Sequence, residues 1–586
     1  MTDWPDVPVL GVIRSRREQP ASLVRSYAMG GAWLHLMPRL ALGRVVLIGP
    51  PEPGLVDLLE RRATSLTFVD RGRSLGEAST ADLLVLGPSH SARGSRRRAE
   101  VRHAIGEVVG RGGWVVEDLL TWRGAPSRQV AADATEVIYR AVPMHGPVRA
   151  AWPLGDAAMG AWLRTTGFGR ETRSEERLAA AGRRLRDAIR GARRRPTAVA
   201  VPNEPSTIMV ESAGRRRRAV LSLARAGAAM VARGEAGYLR LAGLERRLVI
   251  HGVVSGPPRW LTEMAAGSAE IGGHRVAFAA PGEFPTQKIL ILLAPAGDAP
   301  PDIVVKVGRH PAVNDRIAAA VRAMRLIAHG DLAAAGSVPK IEFAGMADGI
   351  QVVAETATSG ASFALVTTAR ADCPWAAAGR DWITELGARS ARPASAVETA
   401  DGLGELLERM PTGLLAGPER NFLHGIVGEL RGCDRVPTVL QHGDPGPWNM
   451  RADVTTGGLS VLDWENAEPR GVPLWDLAYF LRSSGVLVAI RAGVADRMAR
   501  GLFFVTDPEL RRISRDAVAA YAARVGLDSR AIRPLMFHHW VYQAVKESTR
   551  VPSADAQRAI FLRTLRWFVA HRDDGAVLEV FDPDPT

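Results

Sequence analysis

The chain has 586 residues, enough for roughly three or four domains of about 100 to 200 residues each. With 46% hydrophobic and 23% charged residues it has the composition of a globular protein, which excludes a disordered or fibrous chain. The net charge of +13 rests on arginine, since Lys288, Lys306, Lys340 and Lys546 are the only lysines. Such a bias points to a GC-rich coding background rather than to selection for nucleic acid.

The arginine clusters at 94–103, 182–195 and 214–218 read as solvated helix faces, because no aromatic residues interleave them as a single-strand binder would require. Nucleic acid is therefore not an expected partner. No run of about 18 apolar residues suggests a membrane span, and the N-terminus lacks the apolar block of a signal peptide. Cys373 and Cys433 cannot build a disulfide framework or, by themselves, a zinc site. A reducing cytoplasm is the expected compartment.

In chain order, "RVVLIG" (44–49), "SLTFVD" (65–70), "ADLLVLG" (81–87) and "GGWVVED" (112–118) are short apolar runs separated by helix-like stretches. That alternation predicts a parallel α/β sheet over 1–125. The first run, followed by "PPEPG", and Asp70 closing the second resemble a class I methyltransferase or other Rossmann-like nucleotide fold. Pro50, Pro51 and Pro53 have no N–H to offer a phosphate and have fixed φ, so a degenerate or structural version of that fold is the expectation.

Residues 126–265 read as an Arg-rich linking segment, with helices expected at 173–195 and 217–234. From 266 the order changes. Residues 274–295 predict strand, loop and strand, "DIVVKVG" (302–308) a further strand, and 350–363 a strand leaving into a glycine turn. Between them, Val313, Ile317, Val321, Met324 and Ile327 recur at helical spacing over 311–330. Strands, one helix, strands and a mostly helical remainder form a bilobal α+β order, with an N-lobe at 266–365 and a helical C-lobe at 366–586.

Within "VLQHGDPGPWNM" (439–450), Asp444 and Asn449 stand five apart, and a predicted hairpin around "TTGG" then ends at Asp463. Phosphoryl transfer from Mg-ATP uses this inventory: a carboxylate for the acceptor hydroxyl, an Asn and a second Asp for Mg²⁺, and a strand Lys for the phosphates. Lys306 sits mid-strand in "DIVVKVG". Taken alone, His-Gly-Asp could equally be a capped turn.

"HGDPGPWN" resembles the catalytic loop of the aminoglycoside phosphotransferase and choline kinase-like family, and "LSVLDWENAEPRGVPLWDLAYF" resembles its following segment. The resemblance covers about 270–570 and implies a protein-kinase-like C-terminal domain using ATP and Mg²⁺ on a hydroxyl of a small molecule such as a sugar, amino alcohol or aminoglycoside. It implies Asp444 as catalytic base, Asn449 and Asp463 as Mg²⁺ ligands, and His442 as a catalytic-loop brace. Asp476 would hold the loop, and Lys306 would contact the phosphates. Glu355, Thr356 and Ala357 would meet adenine through their backbone, and "PGEFPTQK" (281–288), with Phe284, would cover the phosphates.

Two departures bear on this. The helix after the Lys strand has Ala318, Ala319 and Ala320 where that family supplies a Glu, and the covering loop has one glycine. A weak or inactive nucleotide-binding regulator and a methyltransferase–kinase fusion are the rival readings. Trp448, inside the loop, is a candidate acceptor contact. His538, His539, Trp540 and Glu547 are candidate pocket residues, with helix packing as the equal alternative.

Overall fold

Short runs rich in valine, leucine and isoleucine supply the strands of the first unit met along the chain, Pro20–Pro311 with Gly345–Ala354. The computed structural model describes residues 32–48, 55–69, 80–86, 95–122, 136–142, 150–165, 244–252, 256–280, 288–309, 311–329, 337–453, 457–548 and 553–583. Strands β1 (Gly43–Ile48), β2 (Ala63–Val69), β3 (Leu83–Leu86) and β4 (Trp114–Trp122) pair in parallel in the order β2-β1-β3-β4. Parallel neighbours need crossovers: helix α1 (Leu55–Arg62) lies between β1 and β2 in the chain, and α2 (Ser95–Gly110) between β3 and β4. Val46, Ile48, Leu84, Leu86, Ile105, Val108 and Val115 form the core of this part. The proline turn after β1 and Asp70 lie outside the described residues, as do the arginine clusters at 182–195 and 214–218.

The stretch 126–265 contributes more than the two expected helices, both of which fall outside the described residues. It carries β5 (Glu136–Val142), β6 (Ala150–Pro153), α3 (Ala157–Thr165), β7 (Leu244–His251) and α4 (Arg259–Ala265). With β8 (Arg275–Ala279), β9 (Ile289–Ala294) and β10 (Ile303–Val307), these strands extend the sheet in the order β4-β7-β5-β6-β8-β9-β10, each pair antiparallel. The predicted strand–loop–strand of 274–295 is thus β8 and β9, while residues 281–287, Phe284 among them, lie outside the described residues. Lys306 is buried in β10, opposite Leu290 of β9. Strands β11 (Ile341–Ala347) and β12 (Ile350–Thr356) flank a turn in which Asp348 and Gly349 take positive φ, and the division between units falls within both strands.

Among the described residues, the second unit comprises those of Ala312–Ala344 and Glu355–Thr586. Helix α5 (Asn314–His329) buries Ile317, Val321, Met324 and Ile327, the stripe expected from spacing. After the two-residue strand β13 (Ala361–Ser362), helices α6 (Phe363–Val366), α7 (Pro374–Ser390), α8 (Ala396–Arg409), α9 (Gly417–Arg431), α10 (Trp475–Arg491), α11 (Arg497–Thr506), α12 (Pro508–Val525), α13 (Ser529–Ser548), α14 (Ile560–Ala570) and α15 (Gly575–Phe581) make up the helical remainder. Asp496 and Asp507 accept from the first-turn N–H groups of α11 and α12, so each of these helices starts on its own cap. Helix α13 is buried nearly all round: Trp540 stacks on Phe504 of α11 and meets Phe568 of α14, and Phe537 meets Phe581 of α15. Among the described residues no helix is long and apolar enough to cross a membrane.

Helices α7 and α10 meet at Gly379, where a Cβ would overlap the Phe480 ring. Alanine at this position would gain about 1 kcal/mol of helix propensity but force apart a fully buried aromatic contact, at a cost of about 1–3 kcal/mol. The expected outcome for Gly379→Ala is a lower thermal midpoint, read by calorimetry; a raised midpoint would show that propensity outweighs the packing.

Candidate active site

Strand β14 (Val439–Gln441) is wholly buried and pairs antiparallel with β17 (Glu468–Gly471). This apolar strand delivers His442, Gly443 and Asp444 to the N-terminal end of α10. There Asp476, in the first turn, accepts from the backbone N–H of His442 through Oδ2 at 2.6 Å and from that of Gly443 through Oδ1 at 2.9 Å. Burial pushes the Asp476 carboxyl up to about 7, while the two N–H donors act in the opposite direction. Gly443 has φ +79°, and a Cβ there would collide with the Asn466 carbonyl, so the residue before Asp444 has to be glycine.

His442 is fully buried, and both of its ring nitrogens are engaged. Nε2 donates to the Leu462 carbonyl at 2.8 Å, and Nδ1 receives the Asp444 N–H at 3.3 Å. The imidazole packs on Trp464 with centroids 4.6 Å apart. With both nitrogens engaged, the imidazole holds the loop against the end of the hairpin.

The chain then turns through a short 3-10 segment, Pro447–Asn449. Asn449 Nδ2 donates to the Asp444 carbonyl at 2.9 Å, which turns the amide oxygen away from the loop backbone. Strands β15 (Met450–Ala452) and β16 (Leu459–Val461) form the predicted hairpin, and Leu462 N–H returns to the Asn449 carbonyl at 2.8 Å. Asp463 follows in a left-handed conformation, φ 67°, uncommon for a residue with a side chain. Asp444 and Asp463 are close enough for each charge to be felt by the other.

Asp444 itself has its carboxyl raised by burial above the usual carboxylate range. Lys546 of α13, the Tyr479 hydroxyl and the Trp448 indole N–H partly counter this, and the Asp463 charge adds to it. Its Oδ1 is buried and has no hydrogen-bond partner. Tyr479 stands three residues after Asp476 on α10, so one helical face supplies both the clamp on the loop backbone and a donor to the carboxylate. Sequence reading missed Tyr479 and Lys546. The i, i+3 step from Asp476 could have found the tyrosine, and the rarity of lysine in this chain could have singled out the other.

The remaining sequence candidates divide. Thr356 N–H donates to the Lys340 carbonyl at 2.9 Å and Thr356 Oγ1 receives the Lys340 N–H at 3.0 Å, so that backbone donor is not available to a base. Glu355 is buried at the end of β12, and Ala357 follows the strand. His538, His539 and Trp540 are buried among rings, and Glu547 accepts from the Phe561 N–H at 2.6 Å, so packing accounts for them better than direct lining of a pocket. Burial lowers His538 to about 4 and His539 well below the ordinary imidazole value, so both are neutral.

Hard oxygen donors from Asp463 and Asn449 suit Mg²⁺, which uses one or two protein ligands and fills its octahedron with phosphate and water. Among the described residues no group of three His, Cys, Asp or Glu side chains could hold a metal, so a cage made by the protein alone is not found there.

Residues 296–514 match the model of the phosphotransferase enzyme family. Similar solved structures include a GDP complex of aminoglycoside 2'-phosphotransferase-IIIa, 16% identical over 53% of this chain and 96% of that one, with a TM-score of 0.35. A glucosamine kinase in complex with glucosamine, ADP and inorganic phosphate is 17% identical over 55% and 87%, with a TM-score of 0.34. A choline/ethanolamine kinase family protein from Mesorhizobium loti is 16% identical over 54% and 97%, with a TM-score of 0.30. No curated protein matches the chain.

Asp476→Asn keeps one acceptor oxygen where the loop offers two N–H donors. Leaving one donor unsatisfied in the interior costs about 1–3 kcal/mol, so the variant is expected to have a lower thermal midpoint and faster amide exchange at Gly443. Unchanged exchange there would remove Asp476 as the clamp. The loop and its clamp lie within residues 296–514, the segment that matches the model of the phosphotransferase enzyme family.

Proposed function

We propose that the chain transfers the γ-phosphoryl group of ATP, with Mg²⁺, to a hydroxyl of a small molecule. The observation that carries this reading is Asp444: a buried carboxylate with one unpartnered oxygen, on a loop clamped by Asp476 and bonded to Asn449, beside Asp463. The acceptor oxygen forms a bond to the γ-phosphorus as the bond to the β–γ bridging oxygen breaks. The hydroxyl proton passes to Asp444, and the electron pair leaves with ADP. Asn449 and Asp463 would hold Mg²⁺, which when bound neutralises charge on the phosphates. Lys306 is assigned to the phosphates, and the 355–357 backbone apart from the Thr356 N–H to adenine, by the sequence resemblance alone. Positioning and charge complementarity would supply most of the rate.

A catalytically weak nucleotide-binding regulator is the second reading. It draws on α5, whose only acid is Asp315 in the first turn. For the N-terminal part, the parallel order β2-β1-β3-β4 with its helices supports a Rossmann-like domain, again as a proposal.

Asp444→Ala is expected to lower kcat by about 10²–10⁴-fold with Mg-ATP affinity retained, in a coupled assay for ADP against a panel of hydroxylated small molecules. Undiminished turnover would remove Asp444 as the base, and nucleotide binding without turnover in the parent protein would favour the regulator. Because the ionised carboxylate is the active form and burial raises its pKa, kcat/KM is lost as pH falls through a value above the ordinary carboxylate range. Tyr479→Phe removes a hydrogen bond to the charged form and should move that acid limb to still higher pH; a limb that stays in place would show that the hydroxyl does not act on Asp444.

A further inference from the structure

The 3-10 turn Trp464–Asn466, which directly follows Asp463, touches both the catalytic loop and helix α5, all within the second unit. Toward the loop, the Trp464 ring lies on His442 with centroids 4.6 Å apart, and the Asn466 carbonyl stands where a Cβ on Gly443 would be. Trp464 also meets Trp382 of α7 edge-on at 5.9 Å. The middle residue of the turn does something different. Glu465 forms an ion pair with Arg316 in the first turn of α5, Oε1 to Nη1 at 3.6 Å.

A pair at this distance on an open surface would hold little. Here the two side chains are only 23% and 14% exposed, so water and salt screen the attraction less and losing one partner strands the other. The wider charge pattern agrees in sign. Helix α5 carries Arg316, Arg322 and Arg325 against Asp315, with His329 at its end, while the stretch 463–471 carries Asp463, Glu465 and Glu468 against Arg470. The Arg322 charge also acts on Glu468. Helix α5 is thus tied to this stretch by charge at two places along the chain.

Asp463 needs such ties. Its φ of 67° is a conformation that a residue with a side chain keeps only where its surroundings fix it. Before it, the Leu462 N–H is held by the Asn449 carbonyl at 2.8 Å, and after it the Ala467 N–H closes the turn on the Trp464 carbonyl at 3.0 Å. The Arg316–Glu465 pair lies between these two bonds in sequence and is the one that reaches outside the loop and its hairpin.

We propose that Arg316 is a positioning residue: through Glu465 it fixes the turn after Asp463, and so sets where the Asp463 carboxylate stands beside Asn449 to receive Mg²⁺. This inference rests on the phosphotransferase reading and adds to it a control of the metal site by helix α5. An arginine suits the role because its planar, permanently charged guanidinium keeps its geometry when half removed from water.

The test compares the parent with Arg316→Ala, Arg316→Lys and the charge-exchanged pair Arg316→Glu with Glu465→Arg. Amide exchange at Leu462 and Ala467 is followed without nucleotide or metal, and ADP binding is titrated by calorimetry over a range of Mg²⁺ and in EDTA. Arg316→Ala should speed exchange at Ala467 and raise the Mg²⁺ concentration for half-maximal ADP binding by at least about threefold, with binding in EDTA unchanged. Arg316→Lys should recover most of that loss, and the exchanged pair should bind better than Arg316→Glu alone. If Arg316→Ala fails to fold, Arg316→Lys and the exchanged pair decide on the same readouts. An unmoved Mg²⁺ requirement, an equal loss with and without Mg²⁺, or an exchanged pair no better than Arg316→Glu would each overturn the inference alone. A parent protein that binds ADP no better with Mg²⁺ than in EDTA would sink the phosphotransferase reading, and the inference with it.

Discussion

The carboxylate of Asp476, buried at the first turn of α10, accepts two adjacent backbone N–H groups and thereby sets where the loop from His442 to Asn449 can lie. Charge-assisted bonds of this kind contribute about 1.5–3 kcal/mol each, which offsets part of the desolvation that still pushes the carboxyl up to about 7. The geometry that follows is local and chained. Gly443 must take positive φ, His442 is held between the Leu462 carbonyl and the Asp444 N–H, and Asn449 closes on the Asp444 carbonyl. Five hydrogen bonds thus set the backbone that carries Asp444, whose side chain retains an unpartnered oxygen.

Behind the loop, rings of α10 and α13 pack against one another. Trp475, Tyr479, His539 and Tyr542 present polar edges to a buried seam, and the indole N–H of Trp475 and both nitrogens of His539 have no hydrogen-bond partner. Burial keeps the histidines neutral, so the seam carries dipoles without adding charge beside Asp444. Aliphatic packing would stabilise the same helices without that polarity. The family match reaches this seam only in part, covering α10 but ending at residue 514, ahead of α13.

Local signals carried much of the reading. The stripe of α5, the strand β10 bearing Lys306, and the hairpin between Asn449 and Asp463 were legible because periodicity and turn residues act within a few positions. The strands β5, β6 and β7 were not, since their pairing partners lie far away in sequence and arginine-rich surroundings mask their alternation. For His442 the resemblance implied a brace of the loop without saying what would hold the ring. Its two hydrogen bonds, to residues on either side of a hairpin, are invisible until the hairpin folds.

By itself the sequence determined the inventory: a His-Gly-Asp turn, an Asn five residues on, an Asp at the end of the next hairpin, and few lysines. Spacing along a chain decides such things because turns and strands are short-range objects. Only the tertiary structure decided which groups share a neighbourhood. It brought Tyr479 and Lys546 to Asp444 from helices 35 and 102 residues downstream, as their numbers 444, 479 and 546 give, and it turned His538, His539 and Trp540 into packing. The physical reason is that burial, charge and hydrogen bonding act through space, and helix packing, not sequence distance, sets which side chains meet.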